Sequence, residues 1–89
     1  MGHVIKRKGH KEKFDEKKVY ASIYFACRTC QMSEQRSEKI AGDVTKEISS
    51  RVDKNRIKTS KEIFNNVTDI LKTHHVDAAF MYQTHTDIS

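Results

Sequence analysis

Apolar residues recur every three or four positions through most of this chain, and this spacing constrains the fold more than any other feature. The clearest example places one apolar residue on each of four successive turns: Ile40, Val44, Ile48 and Val52. Because an α-helix has 3.6 residues per turn, such residues line one face of an amphipathic helix. With 89 residues and no proline, the chain is predicted to fold as one mostly helical domain with a thin core.

The N-terminal residues predict a β-hairpin that comes before the helices. Gly9 can supply the positive φ that a tight turn requires, and short segments that could pair as strands lie on either side of it. A two-residue turn there would place Val4 opposite Lys13 and Lys6 opposite Lys11. The predicted fold class is therefore α+β, mostly α, with an N-terminal hairpin packed on a bundle of about four helices.

Capping signals predict where the helices begin. Asp15 and Ser33 are typical N-cap residues, and Thr59 with Glu62 three positions later matches a capping box. The adjacent histidines 74–75 are predicted to separate the last two helices. The chain is therefore divided into a hairpin over about residues 3–14 and helices over about residues 15–30, 33–52, 60–74 and 76–85.

Gly42 stands inside the predicted second helix, where glycine is unusual. Glycine costs about 1 kcal/mol relative to alanine in the interior of a helix. We therefore expect Gly42 to mark a close approach between this helix and a neighbouring element.

The positive charge of the chain is concentrated near its N-terminus. The segment from His3 to Val19 contains three acidic and seven basic residues, a net charge of +4, while the whole chain carries only +5. Such a segment is typical of a surface that binds an anion, either a nucleotide or a nucleic acid. A solvated lysine-rich surface is the alternative. The basic residues are Lys6, Arg7, Lys8, Lys11, Lys13, Lys17 and Lys18.

Cys27 and Cys30 form a CxxC motif, which could indicate zinc or redox chemistry. A structural zinc site needs about four ligands, and neither a second CxxC nor a suitably spaced histidine pair accompanies these cysteines. Both cysteines continue the apolar stripe of the first predicted helix, at its far end. We therefore predict that they are reduced and act as small buried hydrophobic residues.

The sequence gives little support to catalysis, secretion or membrane insertion. No nucleophile stands in a recognisable catalytic motif, and no glycine-rich phosphate loop is present. The histidines are expected at the surface. No apolar run approaches the roughly 18 residues that span a bilayer, and no secretory signal follows Met1. A non-enzymatic cytoplasmic protein is the expectation.

Two segments resemble the ATP-cone family. The first is Val4-Ile-Lys-Arg7-x-Gly9-x-x-Glu12-x-Phe14-Asp15-x-x-Lys18-Val19, which is similar to the opening of that family at about nine positions. The second, Ile57-Lys-Thr-Ser60, resembles the entry into the family's third helix. Together with the order of the predicted elements, the resemblance covers essentially the whole chain.

The resemblance implies a regulatory domain that binds adenine nucleotides. ATP-cones occur at the N-terminus of many ribonucleotide reductases, where ATP activates and dATP inhibits, and in the zinc-ribbon repressor of ribonucleotide reductase genes. The implied effectors are ATP or dATP with Mg²⁺. The implied partners are ribonucleotide reductase, a transcription-regulating protein or further copies of the chain. A small basic module that binds nucleic acid or regulates transcription is the alternative function.

The same resemblance implies roles for individual residues. Basic side chains of the matched motif would bind the phosphates, two valines would contact adenine, and two carboxylates would bind the base or ribose. The third-helix entry would add one polar contact, from a residue that is also a natural helix cap; Ser60 could take its place. The residues that would bind the phosphates are Lys6, Arg7 and Lys18, and the valines at adenine are Val4 and Val19. The carboxylates are Glu12 and Asp15, and the polar contact at the third-helix entry is Thr59.

The chain departs from the family pattern at three points. Lys8 stands where the family usually has aspartate. The stretch Ala79-Phe80-Met81-Tyr82 lacks the arginine of the usual pattern, so no phosphate contact is assigned to the last helix. Neither a zinc ribbon nor a reductase barrel is attached, so the chain is either a stand-alone cone or a piece of a larger protein.

Overall fold

Four α-helices make up most of the computed structural model, which describes the backbone of residues 3–5 and 11–86 and the side chains of residues 14–86. The prediction of about four helices is confirmed, and the fold from residue 14 onward is all-α. In chain order the elements are β1 (His3–Ile5), β2 (Lys11–Lys13), α1 (Glu16–Thr29), α2 (Glu34–Asp53), α3 (Ser60–His74) and α4 (Val76–His85).

The two short strands pair antiparallel, with Val4 opposite Glu12. The predicted partner of Val4 is Lys13, so the predicted register is wrong by one residue. The reason is the length of the connection: residues 6–10 separate the strands, and an odd number of connecting residues cannot give the register of a two-residue turn. The predicted turn itself lies outside the described residues.

The register also changes the pairing expected for the lysines. The partner of Lys11 is Ile5 and not Lys6, so the predicted opposition of two lysines is wrong. Like charges directly across a strand pair would have been destabilising. The observed register therefore avoids like-charge repulsion between these two lysines.

The helices form a closed ring in which α1 packs on α2, α2 on α3, α3 on α4, and α4 on α1. Neighbouring helices run antiparallel. This orientation follows from contacts that join the first half of one helix to the second half of the next. Examples are Glu16 with Ser49, Arg51 with Asn66, and Phe64 with Tyr82. The starts of α1 and α3 therefore lie at the same end of the bundle, together with the ends of α2 and α4.

The core of the bundle is formed by the stripes that the sequence predicts. The four-residue stripe of α2 is buried over its whole length, from Ile40 to Val52. In α3, Val67 and Leu71 are fully buried, while Ile70 is only partly buried against the same core. Ile57, in the α2–α3 connection, is also buried. Burial of this apolar area, at about 25 cal/mol per Å², is the main stabilising contribution.

Gly42 does not mark a close approach between helices, so that prediction is wrong. A Cβ atom added at Gly42 would have no atom within 4 Å. The residue instead lines an open groove between α1 and α2. The missing side chain of Gly42 leaves space in the groove, and it does not serve to bring two helices close together.

His75 separates α3 from α4 and belongs to the ends of both helices. Its backbone N–H donates to the carbonyl of Leu71, and its Nδ1 accepts a hydrogen bond from the backbone N–H of Ala78 at 3.1 Å. The predicted interruption at the two histidines is thus confirmed. His75 is half-buried, since its ring caps α4, while His74 is exposed.

Candidate functional site

The end of the bundle where α1 and α3 begin, here called the α1–α3 end, carries most of the sequence-predicted site residues whose side chains are described. The first turn of α1 is attached to α2 by the hydroxyl of Ser49, which donates to Oε2 of Glu16 at 2.6 Å. The α2–α3 connection then returns the chain to Thr59 at the same end. Backbone N–H groups at the starts of α1 and α3 carry partial positive charge, but the carbonyl ends of α2 and α4 at the same end oppose it, so it is the exposed lysine side chains that favour an anion here.

Asp15 is the N-cap of α1, as its position in the sequence predicts. Its carboxylate accepts a hydrogen bond from the backbone N–H of Lys17 at 3.0 Å. The cap compensates part of the positive end of the helix and leaves the ammonium groups of Lys17 and Lys18 in water. Val19 follows and is half-buried, packed against the core. The first turn therefore presents exposed cationic side chains beside an apolar side chain that packs on the core.

Thr59 caps α3 through a complete capping box, which confirms that prediction. Its Oγ1 accepts from the backbone N–H of Glu62 at 3.1 Å, and Oε1 of Glu62 accepts from the backbone N–H of Thr59 at 3.1 Å. The same carboxylate oxygen accepts from the backbone N–H of Lys58 at 3.2 Å. The cap fully explains a threonine at this position, so any ligand contact would be an additional role.

The remaining predicted residues belong to the N-terminal segment. The register places Val4 and Glu12 directly opposite each other on the paired strands. Lys6 and Arg7, which the family motif assigns to the phosphates, lie outside the described residues. The structure thus brings Asp15, Lys18 and Val19 together on one helical turn and Thr59 to the same end.

The opposite end of the bundle, here called the thiol end, holds the CxxC motif. Cys27 is buried in the core and Cys30 is half-buried at the C-cap of α1. Burial raises the pKa of the Cys27 thiol to about 11, with a smaller contribution from Cys30, while Arg36 acts in the opposite direction. Burial, followed by Asp77, also raises the pKa of Cys30. Raised pKa values disfavour the thiolate, so these cysteines behave as the predicted small hydrophobic residues.

Two buried hydroxyls were not identified from the sequence. The side-chain oxygens of Ser37 and Thr45, both on α2, have no hydrogen-bond partner among the residues that the structure describes. Serine and threonine inside a helix usually bond to the preceding turn or face water. Nothing in the amino-acid pattern distinguishes these two from ordinary helix residues, because the signal is the absence of a partner in three dimensions.

Neither metal-binding nor membrane-spanning features emerge from the described part of the chain. No group of three or more His, Cys, Asp or Glu side chains in it could hold a metal ion. None of its helices has the length and apolar character that a membrane span requires.

Comparison with known proteins gives one clear relationship. A search of curated proteins gave no significant match, and neither did a search of solved structures. A sequence model of the ATP cone domain, in contrast, matches residues 2–85, and this range includes both segments that resemble the family as well as all four helices. ATP-cones are regulatory nucleotide-binding modules whose effectors are ATP and dATP, and the chain belongs to this family.

Proposed function

We propose that this chain is an allosteric adenine-nucleotide sensor that binds ATP and dATP and has no catalytic activity of its own. The family match over residues 2–85 carries this proposal. The α1–α3 end supports it, since the exposed ammonium group of Lys18 in the first turn of α1 would interact favourably with a triphosphate.

In the proposed site, the hairpin packs over the α1–α3 end and encloses the nucleotide between strands and helices. Lys6, Arg7 and Lys18 would bind the triphosphate, with the guanidinium able to bind two oxygens at once. Val4 and Val19 would contact the adenine ring. The first-turn position and partial burial of Val19 are compatible with that role.

Glu12 and Asp15 would bind the base or ribose, and Thr59 would supply one additional polar contact. Asp15 and Thr59 already bind backbone N–H groups in the capping arrangements, and each carries oxygen atoms with lone pairs left for a second donor. Mg²⁺ would arrive with the triphosphate. Its ligands would be phosphate oxygens and water, which this small hard cation prefers.

The proposed mechanism is a population shift. A nucleotide that fits one arrangement of hairpin and helices better than another changes which surface the domain presents to its partner. Ribonucleotide reductase or a protein that regulates transcription is the partner class that we propose from family membership. A second copy of the chain is the alternative, which sedimentation velocity with and without each nucleotide would detect.

The residue assignment can be tested by replacing Lys6 or Arg7 with alanine. Each variant is expected to bind ATP at least about tenfold more weakly, because charge-assisted hydrogen bonds contribute about 1.5–3 kcal/mol. The melting temperature without nucleotide should change little. Calorimetric titration measures the affinity, and unchanged ATP affinity in both variants would contradict the assignment.

A further inference from the structure

A groove on the α1–α2 face, which reaches the first turn of α1, has the properties of a second ligand site and is lined by none of the residues that the family motif assigns to the nucleotide. It has a volume of about 400 Å³ and a mainly apolar wall. This volume lies within the range of about 300–1,000 Å³ typical of small-molecule sites. The lining residues are Glu16, Lys17 and Tyr20 from α1, and Gly42, Thr45, Lys46 and Ser49 from α2.

Gly42 keeps this groove open. A Cβ atom there would meet nothing within 4 Å, so alanine would be sterically acceptable and would favour the helix. Close helix packing therefore does not require the glycine. Any larger side chain at position 42 would, however, occupy space in the groove.

Thr45 gives a second, independent reason to expect a ligand in this groove. Its side chain is buried, at 7% exposure, and it lines the groove, while its Oγ1 has no hydrogen-bond partner in the described part of the chain. Buried hydroxyls are nearly always satisfied, and an orphaned one is destabilising. Threonine in a helix divides between two χ1 rotamers, so its hydroxyl can turn to meet a ligand that enters the groove.

The charges at the groove indicate what would bind. Lys17 and Lys46 are exposed at its edge. Among the described lining residues the one acidic side chain is that of Glu16, which already accepts a hydrogen bond from the hydroxyl of Ser49. The groove thus has two available ammonium groups against one engaged carboxylate, which favours an anion. The apolar wall and the aromatic ring of Tyr20 favour a flat apolar body.

We propose that the α1–α2 groove binds a small organic anion with a flat apolar body. The apolar part would fill the space that Gly42 leaves open beside Tyr20. The hydroxyl of Thr45 would form a hydrogen bond with the ligand, and Lys17 and Lys46 would attract its anionic group. This site does not depend on the proposed nucleotide function, because it shares none of the residues assigned to ATP.

Naphthalene-1-sulfonate is a suitable probe, with 1-naphthalenemethanol as its neutral counterpart. Titration of ¹⁵N-labelled protein should shift the amide signals of Gly42, Thr45 and Lys46 in a saturable manner. The neutral compound should bind several-fold more weakly. Saturating ATP should not displace the sulfonate. Displacement by ATP, or shifts centred instead on the exposed rings of Phe25 and Phe80, would overturn the proposal.

Three variants make the test specific. Gly42→Leu fills the groove and should weaken sulfonate binding at least tenfold, while its ¹⁵N spectrum shows a folded protein. Thr45→Val removes the orphaned hydroxyl and should weaken binding about fivefold while raising the melting temperature. Ser37→Ala is the matched control: it removes the other unpartnered buried hydroxyl, which does not line the groove, and should leave sulfonate affinity unchanged. Equal affinity in wild type, Gly42→Leu and Thr45→Val would overturn the proposal.

Discussion

The two ends of helix α1 show opposite chemistry within one 14-residue element. At the α1–α3 end, the first turn is capped by Asp15 and exposes Lys17 and Lys18. At the thiol end, Cys27 is buried and Cys30 half-buried against the same core. Charged groups that remain hydrated can exchange water for a ligand, whereas groups buried in an apolar environment lose reactivity. The comparison teaches that the bundle has one end with hydrated cationic side chains, where we propose that the nucleotide binds, and one end whose thiols belong to the core.

The largest expected effect concerns the thiol end. With a pKa of about 11, roughly one Cys27 thiol in a thousand is ionised at pH 8, about a hundredfold less than for an ordinary cysteine. Iodoacetamide should therefore alkylate Cys27 at least about a hundredfold more slowly than a cysteine in an unfolded peptide. Mass spectrometry of a Cys30→Ser variant gives the rate for Cys27 alone. A rate near that of the peptide would contradict the buried, inert thiol.

The same raised pKa predicts a loss of stability at alkaline pH. Folding raises the thiol pKa above its ordinary value of 9.0, so the contribution of the neutral thiol is fully present below about pH 9 and is lost as pH rises through 11. The loss amounts to about 2–3 kcal/mol for a shift of this size. Melting temperatures of wild type and Cys27→Ala between pH 8 and 11 measure it. Parallel curves for the two proteins would show that the thiol is not responsible.

At the α1–α3 end, Lys18→Ala is expected to weaken ATP binding about 10- to 100-fold, because it removes one charged hydrogen-bond donor to phosphate. The melting temperature should hardly change, since Lys18 is exposed in the first turn of α1. Lys72→Ala, an equally exposed lysine in the last turn of α3, is the matched control at the other end. Similar losses in the two variants would indicate a general charge effect and no specific site.

Removing one helix cap at each end of the bundle should give the smallest effects. These two substitutions best separate an effect on ATP binding from an effect on stability. Thr59→Ala at the α1–α3 end and His75→Ala at the thiol end each remove an N-cap. Each should lower the free energy of unfolding by about 1 kcal/mol, as measured by urea denaturation. Only Thr59→Ala should also weaken ATP binding, by a few-fold. If ATP affinity falls equally in both variants, Thr59 contributes through stability alone.

The helices could be predicted from the sequence because local rules determine them. The apolar stripe of α2 and the capping box at Thr59 each lie within one stretch of sequence, and the structure contains both. The register of the strands could not be predicted in the same way, since it depends on how many residues the turn uses. A glycine at the presumed turn does not indicate how many residues the turn contains.

The candidate site was predictable only in part. Asp15 and Thr59 could be identified as caps from residue type alone, and the structure contains both caps. The role of Gly42 does not follow from the sequence, because a missing side chain can indicate either a close contact or an open space, and only the neighbouring helix distinguishes them. The orphaned hydroxyl of Thr45 carries no sequence signal at all.

The most direct test of the central claim is calorimetric titration of the chain with ATP, dATP and GTP in the presence of Mg²⁺. An adenine-nucleotide sensor predicts saturable binding of ATP and dATP, with GTP at least about tenfold weaker. The same titration at higher salt should weaken but not abolish binding, because part of the affinity would come from adenine contacts. Absence of ATP and dATP binding at millimolar concentration, with the protein shown to be folded, would contradict the claim.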